Sequence, residues 1–250
     1  MQHIHRLTHS AIAGAAMLLF STSLFPAPTL ALLREKHPQP TIVRWDERRS
    51  GCTASRSEDG KLQYGLWTDD LGITLSIDSQ ELEKAHRRHE PFFAAFFHIR
   101  YRGRDQLPID PSAFALEFVN HFKVAQPALD PDRFAQKVQN DADELDYQTA
   151  REIEKHPEQK AAKEAYARGF QKDTAELVEF VGRYSLRPAR LDPANSEISG
   201  WVFFSTKSRW IGSWKKQEEF LLTVPLDGKI YQFPFNLPPK PGELMLRKRE

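Results

Sequence analysis

Ten residues in the middle of the chain, Phe92 to Tyr101, constrain the fold more than any other segment because their side chains alternate between two faces. One face carries Phe93, Ala95, Phe97, Ile99 and Tyr101. A run rich in aromatic and β-branched residues with a period of two is typical of a β-strand whose one face enters a core. Gly103 follows the run, which therefore predicts a long strand that ends before residue 103.

Shorter segments with the same period lie on both sides of this strand. They are Leu62–Trp67, Gly72–Ile77, Phe114–Phe118, Gly200–Phe204, Glu219–Val224 and Lys229–Phe233. The polar residues 102–111 predict a turn. Asp227 and Gly228 predict a tight hairpin between the last two strands, because Asp-Gly tolerates the positive φ of a primed turn. The pattern indicates seven or eight short strands.

At residue 130 the apolar period changes from two to three or four. Asp130 followed by Pro131 predicts a helix start, because Asp accepts hydrogen bonds from unpaired amides and Pro suits the first helical position. One apolar stripe follows at Phe134, Val138, Ala142, Leu145, Thr149 and Ile153. Because a residue before proline avoids the α region, the helix is expected to end at His156-Pro157.

A second helix is expected to start near Pro157 and to end at Arg187-Pro188. Its predicted stripe is Ala162, Tyr166, Gly169, Leu177, Val181 and Tyr184. Residues 130–185 therefore predict an αα-hairpin, the only helical block beyond the N-terminal segment. Its stripes are expected to pack on an open face or end of the β structure.

Short strands with helices in one block indicate a mainly β fold, a β-sandwich that carries a helical insertion. The predicted parts are a signal peptide (1–31), a linker (32–40), the sandwich (41–129 and 186–237), the helical-hairpin insertion (130–185) and a Pro-rich basic tail (238–250).

Three segments resemble a known family. They read FHIRYRGRDQLPIDPSAFALEF, GWVFFSTK and EFLLTVPLDGKIYQFPF, and they are similar to immunoglobulin-like, telokin-like domains of bacterial exported proteins. The resemblance covers 92–119 and 199–236. It implies an immunoglobulin-like sandwich and a binding or interaction role, and it transfers no catalytic residue. The helices of 130–185 depart from the family pattern.

The first 31 residues have the order of a secretory signal peptide. Arg6 lies in a polar start without acidic residues, the apolar run 11–25 follows, and Pro26 breaks it. Thr29-Leu30-Ala31 places small side chains before a cleavage point. The run is about 15 residues and a membrane span needs about 20, which favours cleavage and a periplasmic or extracellular location. The alternative is an uncleaved membrane anchor.

Charge and cysteine content exclude some functions. The chain has 35 basic and 34 acidic residues, and this balance argues against a nucleic-acid partner, which usually requires a basic surplus. The single cysteine, Cys52, excludes an intramolecular disulfide; it is a buried thiol, a free one, or a link between two copies. No phosphate loop, dinucleotide fingerprint, nucleophile elbow or zinc spacing is present, so the sequence assigns no cofactor and no catalytic residue.

The candidate recognition surface is formed by Arg209, Trp210, Trp214, Lys215 and Lys216. Tryptophan is enriched in interfaces because one rigid ring buries a large area, and indole faces also stack on sugars. With the flanking cations, the pair indicates an anionic or carbohydrate-bearing partner. The alternative is that both rings cap the core of the sandwich.

Two weaker patterns have structural alternatives. His86 and His89 have the spacing of metal ligands on a helix, with His98 as a third ligand, yet a solvated basic connection has the same composition. The acidic residues 140–146 offer oxygen ligands but lack the glycine of an EF-hand loop, so the wet face of a helix is the other interpretation. No metal site is assigned.

The sequence therefore predicts an exported, non-enzymatic binding or interaction module of the cell envelope with a protein or carbohydrate partner. An envelope hydrolase with an unlocated site and a structural component of an envelope assembly are the alternatives.

We expect the exported protein to begin near Leu32, after cleavage behind Ala31. The physical reason is an apolar run shorter than a membrane span, followed by small residues. N-terminal sequencing of the exported protein measures this directly. Recovery of intact Met1 from the membrane fraction would support the anchor instead.

Overall fold

β-Strands make up most of the regular structure in the computed structural model, which describes residues 40–56, 61–78, 92–120, 124–206 and 217–237. The strands are β1 (Thr41–Arg44), β2 (Cys52–Arg56), β3 (Lys61–Trp67), β4 (Leu71–Asp78), β5 (Phe92–Tyr101), β6 (Leu107–Ile109), β7 (Ala115–Phe118), β8 (Val124–Pro127), β9 (Ala189–Leu191), β10 (Glu197–Ser205), β11 (Glu218–Leu226) and β12 (Lys229–Leu237). The two α-helices are α1 (Pro131–Lys155) and α2 (Lys160–Tyr184), joined by a short 3₁₀ turn. The fold is therefore mainly β, as expected.

The strands form two five-stranded sheets and a two-stranded ribbon. Sheet A has the order β1-β12-β11-β7-β8, and sheet B has the order β10-β5-β4-β3-β2. The ribbon pairs β6 with β9. All pairs are antiparallel except β1 with β12. Two sheets of this kind are the arrangement expected of a β-sandwich.

One hydrophobic cluster contains the inner side chains of both sheets. Phe93 of sheet B stacks on Phe220 and Phe235 of sheet A, with ring centroids 6.2 and 5.8 Å away. Phe220 and Phe235 stack on each other at 5.4 Å. Cys52 is also buried in this cluster. Removal of this much aromatic surface from water is the main force that holds the two sheets together.

The expectation of seven or eight strands is wrong, since the described residues contain twelve. The additional strands are three to five residues long and include β1, β2, β8 and β9. Segments this short carry too few periods for alternation to be recognised. Part of the predicted turn 102–111 is strand β6, whose Leu107 and Ile109 enter the core.

The predicted hairpin turn between β11 and β12 is confirmed. Asp227 has φ 52° and Gly228 has φ 65°, the left-handed conformations that a type I′ turn requires. Leu226 pairs with Lys229 across it.

The helices pack on the outer face of sheet B. Of the predicted stripe of α1, Phe134, Val138 and Ala142 are buried, whereas Leu145, Thr149 and Ile153 are half-buried. Phe203 of β10 lies 5.4 Å from Phe134 of α1 and 6.4 Å from Phe180 of α2, measured between ring centroids. Phe92 of β5 lies 5.2 Å from Phe134. These contacts form a second hydrophobic cluster, which also contains Val138 and Val181. Strands β5 and β10 are therefore buried on both faces near this cluster.

The predicted stripe of the second helix is wrong in part. Tyr166 is 54% exposed and Tyr184 is 49% exposed, whereas the buried residues are Ala167, Phe170, Thr174 and Val181. The helix begins at Lys160 rather than at Pro157, because 157–159 forms the 3₁₀ turn. Between Ala142 of α1 and Ala167 of α2 no residue is buried, so this distal part of the pair packs only helix against helix.

Both ends of the helical block are attached to the edge strand β10. The Leu129 N–H donates to the Phe203 carbonyl at 2.8 Å, and the Leu186 N–H donates to the Trp201 carbonyl at 2.8 Å. At Gly200 a Cβ atom would lie 2.5 Å from the Leu186 nitrogen, so only glycine permits this approach. The free edge of sheet B is thus covered at two points.

Among the described residues no helix is long and apolar enough to cross a membrane. The predicted signal peptide, the linker up to residue 39 and the tail 238–250 lie outside the described residues.

We expect Phe203→Ala to lower the free energy of unfolding by about 3–5 kcal/mol, because the side chain is 1% exposed and the cavity would open between sheet and helices. Urea denaturation followed by circular dichroism measures the loss. Tyr147→Ala, at a side chain 61% exposed on α1, is the matched control and should cost less than about 0.5 kcal/mol. Equal losses for the two variants would contradict helix docking through Phe203.

Candidate functional site

A cleft of about 440 Å³ lies where the start of α1 meets the ends of β5, β8 and β10. It is lined by Phe92, Ala128, Leu129, Asp130, Arg133, Phe134, Lys137, Val138, Asp141 and Ser205. This volume falls within the range of about 300–1,000 Å³ that is typical of small-molecule sites.

The floor of the cleft is apolar. Phe134 and Val138 lie one turn apart on α1 and are both buried. Phe92 meets Phe134 edge to face, and Leu129 packs against the same cluster. Residue 128 is placed here by backbone contacts, since the Ala128 N–H donates to the Phe114 carbonyl and Ala128 pairs with Phe204.

The rim of the cleft carries four charged residues that differ in their hydrogen-bond and ion-pair partners. The Asp130 carboxylate caps α1 by accepting from the Arg133 N–H at 2.8 Å. Lys137 donates to Asp141 one turn further along at 2.9 Å. The guanidinium of Arg133 has no ion-pair partner among the described residues. The cleft therefore combines an apolar floor with one uncommitted cation beside the helix start.

An ion pair outside the cleft fixes the position of α1. Arg187, just after α2, donates two hydrogen bonds of 2.8 Å to the carboxylate of Asp132 in the first turn of α1. These bonds from Arg187 hold the pKa of Asp132 below its ordinary value, and Asp132 raises the pKa of Arg187. The planar, bidentate geometry joins the entry of the helical block to its exit.

The sequence-predicted recognition residues Arg209, Trp210, Trp214, Lys215 and Lys216 all lie in 207–216, outside the described residues. They remain a prediction.

Of the three histidines in the predicted metal-binding pattern, only His98 lies within the described residues. His86 and His89 lie outside the described residues, whereas His98 lies on β5 with its Nε2 3.3 Å from the Glu197 carboxylate. Among the described residues no group of three metal-ligating side chains comes together. The acidic residues 140–146 lie on α1, where Asp141 contacts Lys137, Asp143 accepts from Gln139 and Asp146 accepts from Gln171.

The sequence interpretation missed the cleft, although it identified Asp130, Phe134 and Val138 as parts of a helix. One signal was available: Arg133 and Lys137 are spaced by one turn beside those apolar residues. The partners on the other wall, Phe92 and Ser205, are distant in sequence and become neighbours only through the pairing of β5 with β10.

Comparison with family models, curated proteins and solved structures finds no match for this chain. The geometry and chemistry of the described residues are therefore the basis for a functional proposal.

We expect Asp132→Asn to make the protein less sensitive to acid. Because the folded-state pKa of Asp132 lies below the ordinary 3.8, its charged form stabilises the fold above pH 3.8, and this contribution is lost as the pH falls through the lower folded-state pKa. Melting temperatures at pH 6 and pH 2.5 measure the difference.

The control for this prediction is Arg187→Gln, which removes the other half of the pair. In that background Asp132→Asn should have no further effect on the pH dependence, because the shifted pKa of Asp132 depends on Arg187. An unchanged acid sensitivity in Asp132→Asn alone would show that the pair does not couple stability to pH.

Proposed function

We propose that this chain is an exported, non-enzymatic binding module of the cell envelope, built on an immunoglobulin-like sandwich. The observation that carries the proposal is the cleft at the start of α1, with its apolar floor and the uncommitted guanidinium of Arg133. Apolar clefts with a few polar groups that fix orientation are typical of ligand sites. The sequence pattern of residues 1–31 supports export, and the two-sheet architecture supports the sandwich.

The chemistry of the cleft favours an anionic amphiphile, an apolar chain with a carboxylate or phosphate head. The floor of Phe92, Leu129, Phe134 and Val138 offers no polar side chain to a ligand, so an apolar chain fits it. At the rim, Arg133 can donate two parallel hydrogen bonds to either head group.

The other charges at the rim do not compete for the ligand head. Asp130 accepts from the helix start and Lys137 pairs with Asp141, so Arg133 is the rim cation without an ion-pair partner among the described residues. A charge-assisted hydrogen bond contributes about 1.5–3 kcal/mol, which is enough to select an anion over a neutral head. In an envelope, acyl chains with such heads are available from lipids.

No contact among the described residues favours the hydrolase or the structural alternative over binding. The protein or carbohydrate partner expected from the sequence remains part of the proposal, since a module of this kind can carry more than one binding surface.

The test uses four probes with the same tail: dodecanoate, dodecyl phosphate, dodecanol and dodecylamine, each below its critical micelle concentration or, for dodecanol, below its solubility limit. Titration calorimetry on the purified chain should show that both anions bind more tightly than the alcohol and the amine. Arg133→Ala should weaken the anions roughly 10- to 100-fold and leave the alcohol nearly unchanged, because only the head-group hydrogen bonds are lost.

Two variants control the interpretation. Arg168→Ala, at a side chain 72% exposed on α2, removes an arginine far along the helix pair and should leave all four affinities unchanged. Ala128→Phe places a ring in the cleft and should abolish binding of every probe. Equal affinities for anion and alcohol, or dodecanoate binding that survives Ala128→Phe, would overturn the proposal.

A further inference from the structure

The indole ring of Trp67 lies flat on the outer face of sheet B. A Cβ atom at Gly72, the residue paired with Trp67 on β4, would lie 2.2 Å from the indole Cζ3 atom. A Cβ atom at Gly65 would lie 3.1 Å from the indole nitrogen. The ring therefore rests on two glycines, and Trp67 is 38% exposed. Glycine is needed at position 72 for space rather than for backbone conformation.

Polar side chains share the face of sheet B on which this ring lies. Thr53, Gly65, Thr74 and His98 are paired across four adjacent strands, so they share the face on which Trp67 lies. With strands about 4.8 Å apart, this row is about 14 Å long. Gln63 and Ser55 lie on the same face, and the Ser55 hydroxyl donates to the side-chain amide oxygen of Gln63 at 3.4 Å.

One charged cluster on this face is paired internally. Arg100, which is paired with Gly72, donates to Glu197 at 3.0 Å, and His98 lies 3.3 Å from the same carboxylate. These two neighbours hold the pKa of Glu197 below its ordinary value, so the carboxylate stays charged and paired. The face around Trp67 thus offers an aromatic plane, hydroxyls and an amide, next to an ion pair between Arg100 and Glu197.

The helices cover the β10 side of this face. Phe96 and Trp201 lie 5.5 Å apart between ring centroids, and Phe180 of α2 packs on Trp201 at 5.7 Å. On β10 and part of β5 this face carries aromatic residues that lie under the helices. Towards β2 it carries the row of polar residues and Trp67 instead. We call the part of the face that carries the polar row and Trp67 the platform. The helical block borders it on the β10 side.

We infer that this platform, defined by Trp67, Thr53, Gln63, Thr74 and His98, binds a neutral oligosaccharide. The C–H groups on one face of a pyranose carry partial positive charge and pack on the negative face of an indole. The sugar hydroxyls can then exchange hydrogen bonds with the threonines and the glutamine. A nucleic acid would also stack on the ring, but its phosphates require unpaired cations, and Arg100, which is paired with Gly72, donates to Glu197. A row of about 14 Å is longer than one pyranose, which favours a chain of sugars.

The experiment follows the indole N–H signal of Trp67 by two-dimensional nitrogen–proton spectroscopy, assigned by its loss in Trp67→Phe. The probes are the neutral oligomers cellohexaose, maltohexaose and chitohexaose, with heparin as the anionic comparison. At least one neutral oligomer should shift the Trp67 signal, and Trp67→Ala should weaken its affinity at least about tenfold, as for an aromatic residue central to an interface. Tyr147→Ala, the exposed aromatic on α1, should leave the affinity unchanged.

Two variants keep the test decisive if Trp67→Ala destabilises the sheet. Gly72→Ala keeps the indole but displaces it, because the added methyl group would overlap the ring, and this variant should weaken sugar binding. Trp67→Phe keeps a smaller ring over Gly72 and should bind with intermediate affinity. No shift with any neutral oligomer, a shift with heparin alone, or affinity that survives both Trp67→Ala and Gly72→Ala would overturn the inference. Arg133→Ala should leave sugar binding intact, so this platform and the cleft are tested separately.

Discussion

The pairing of β5 with β10 is the contact on which the rest of the structure depends. Nine residue pairs connect the two strands, from Glu197–Arg100 to Ser205–Phe92. Their inner side chains, such as Phe93 and Phe204, join the core between the sheets, and their outer side chains, such as Phe92 and Phe203, hold the helices. A slip of one residue in this register would exchange the two faces and expose both clusters. Register and helix docking therefore stabilise each other.

The cleft and the platform both follow from where the helices end. The helical block covers the β10 side of sheet B, and its first turn stands over the ends of β5 and β10, which leaves a gap with apolar walls. Beyond the helices the same sheet face is polar and carries Trp67. One sheet face thus carries both an apolar cleft and a polar surface with an exposed aromatic ring. The bidentate pair of Asp132 with Arg187 joins the two ends of the helical block.

Local signals in the sequence predicted the elements, and distant pairing decided the sites. Alternation identified β5, Asp227-Gly228 identified the turn between β11 and β12, and Asp130-Pro131 identified the start of α1, because each of these depends on neighbouring residues. The short strands were missed because three to five residues contain too few alternations. In α2 the predicted stripe included Tyr166, which is exposed. Tyrosine has both apolar and polar character, so the sequence of α2 alone does not show whether its side chain is buried; the packing of α2 against α1 decides this.

The two sites could not be predicted from spacing. The cleft requires Phe92 and Ser205 beside Arg133, and the platform requires a glycine under Trp67 on the neighbouring strand. In the sequence Gly72 only indicates a residue that weakens a strand, because glycine has no side chain to pack. Only the pairing of β3 with β4 shows that its missing side chain makes room for an indole.

The distal part of the helix pair, between Ala142 and Ala167, has a consequence for the dynamics of the protein. This segment contains no buried residue and shares no apolar cluster with the sheets. Its amides therefore depend on the helix ladders and on a few interhelical contacts, among them those of Gln171 with Ala142 and Asp146. Units with so little buried surface open at a lower free energy than the whole fold, so we expect the tip to open as a separate cooperative unit in amide hydrogen exchange. Sub-global opening would begin there and stop at Phe134 and Val181, where the helices enter the cluster on sheet B.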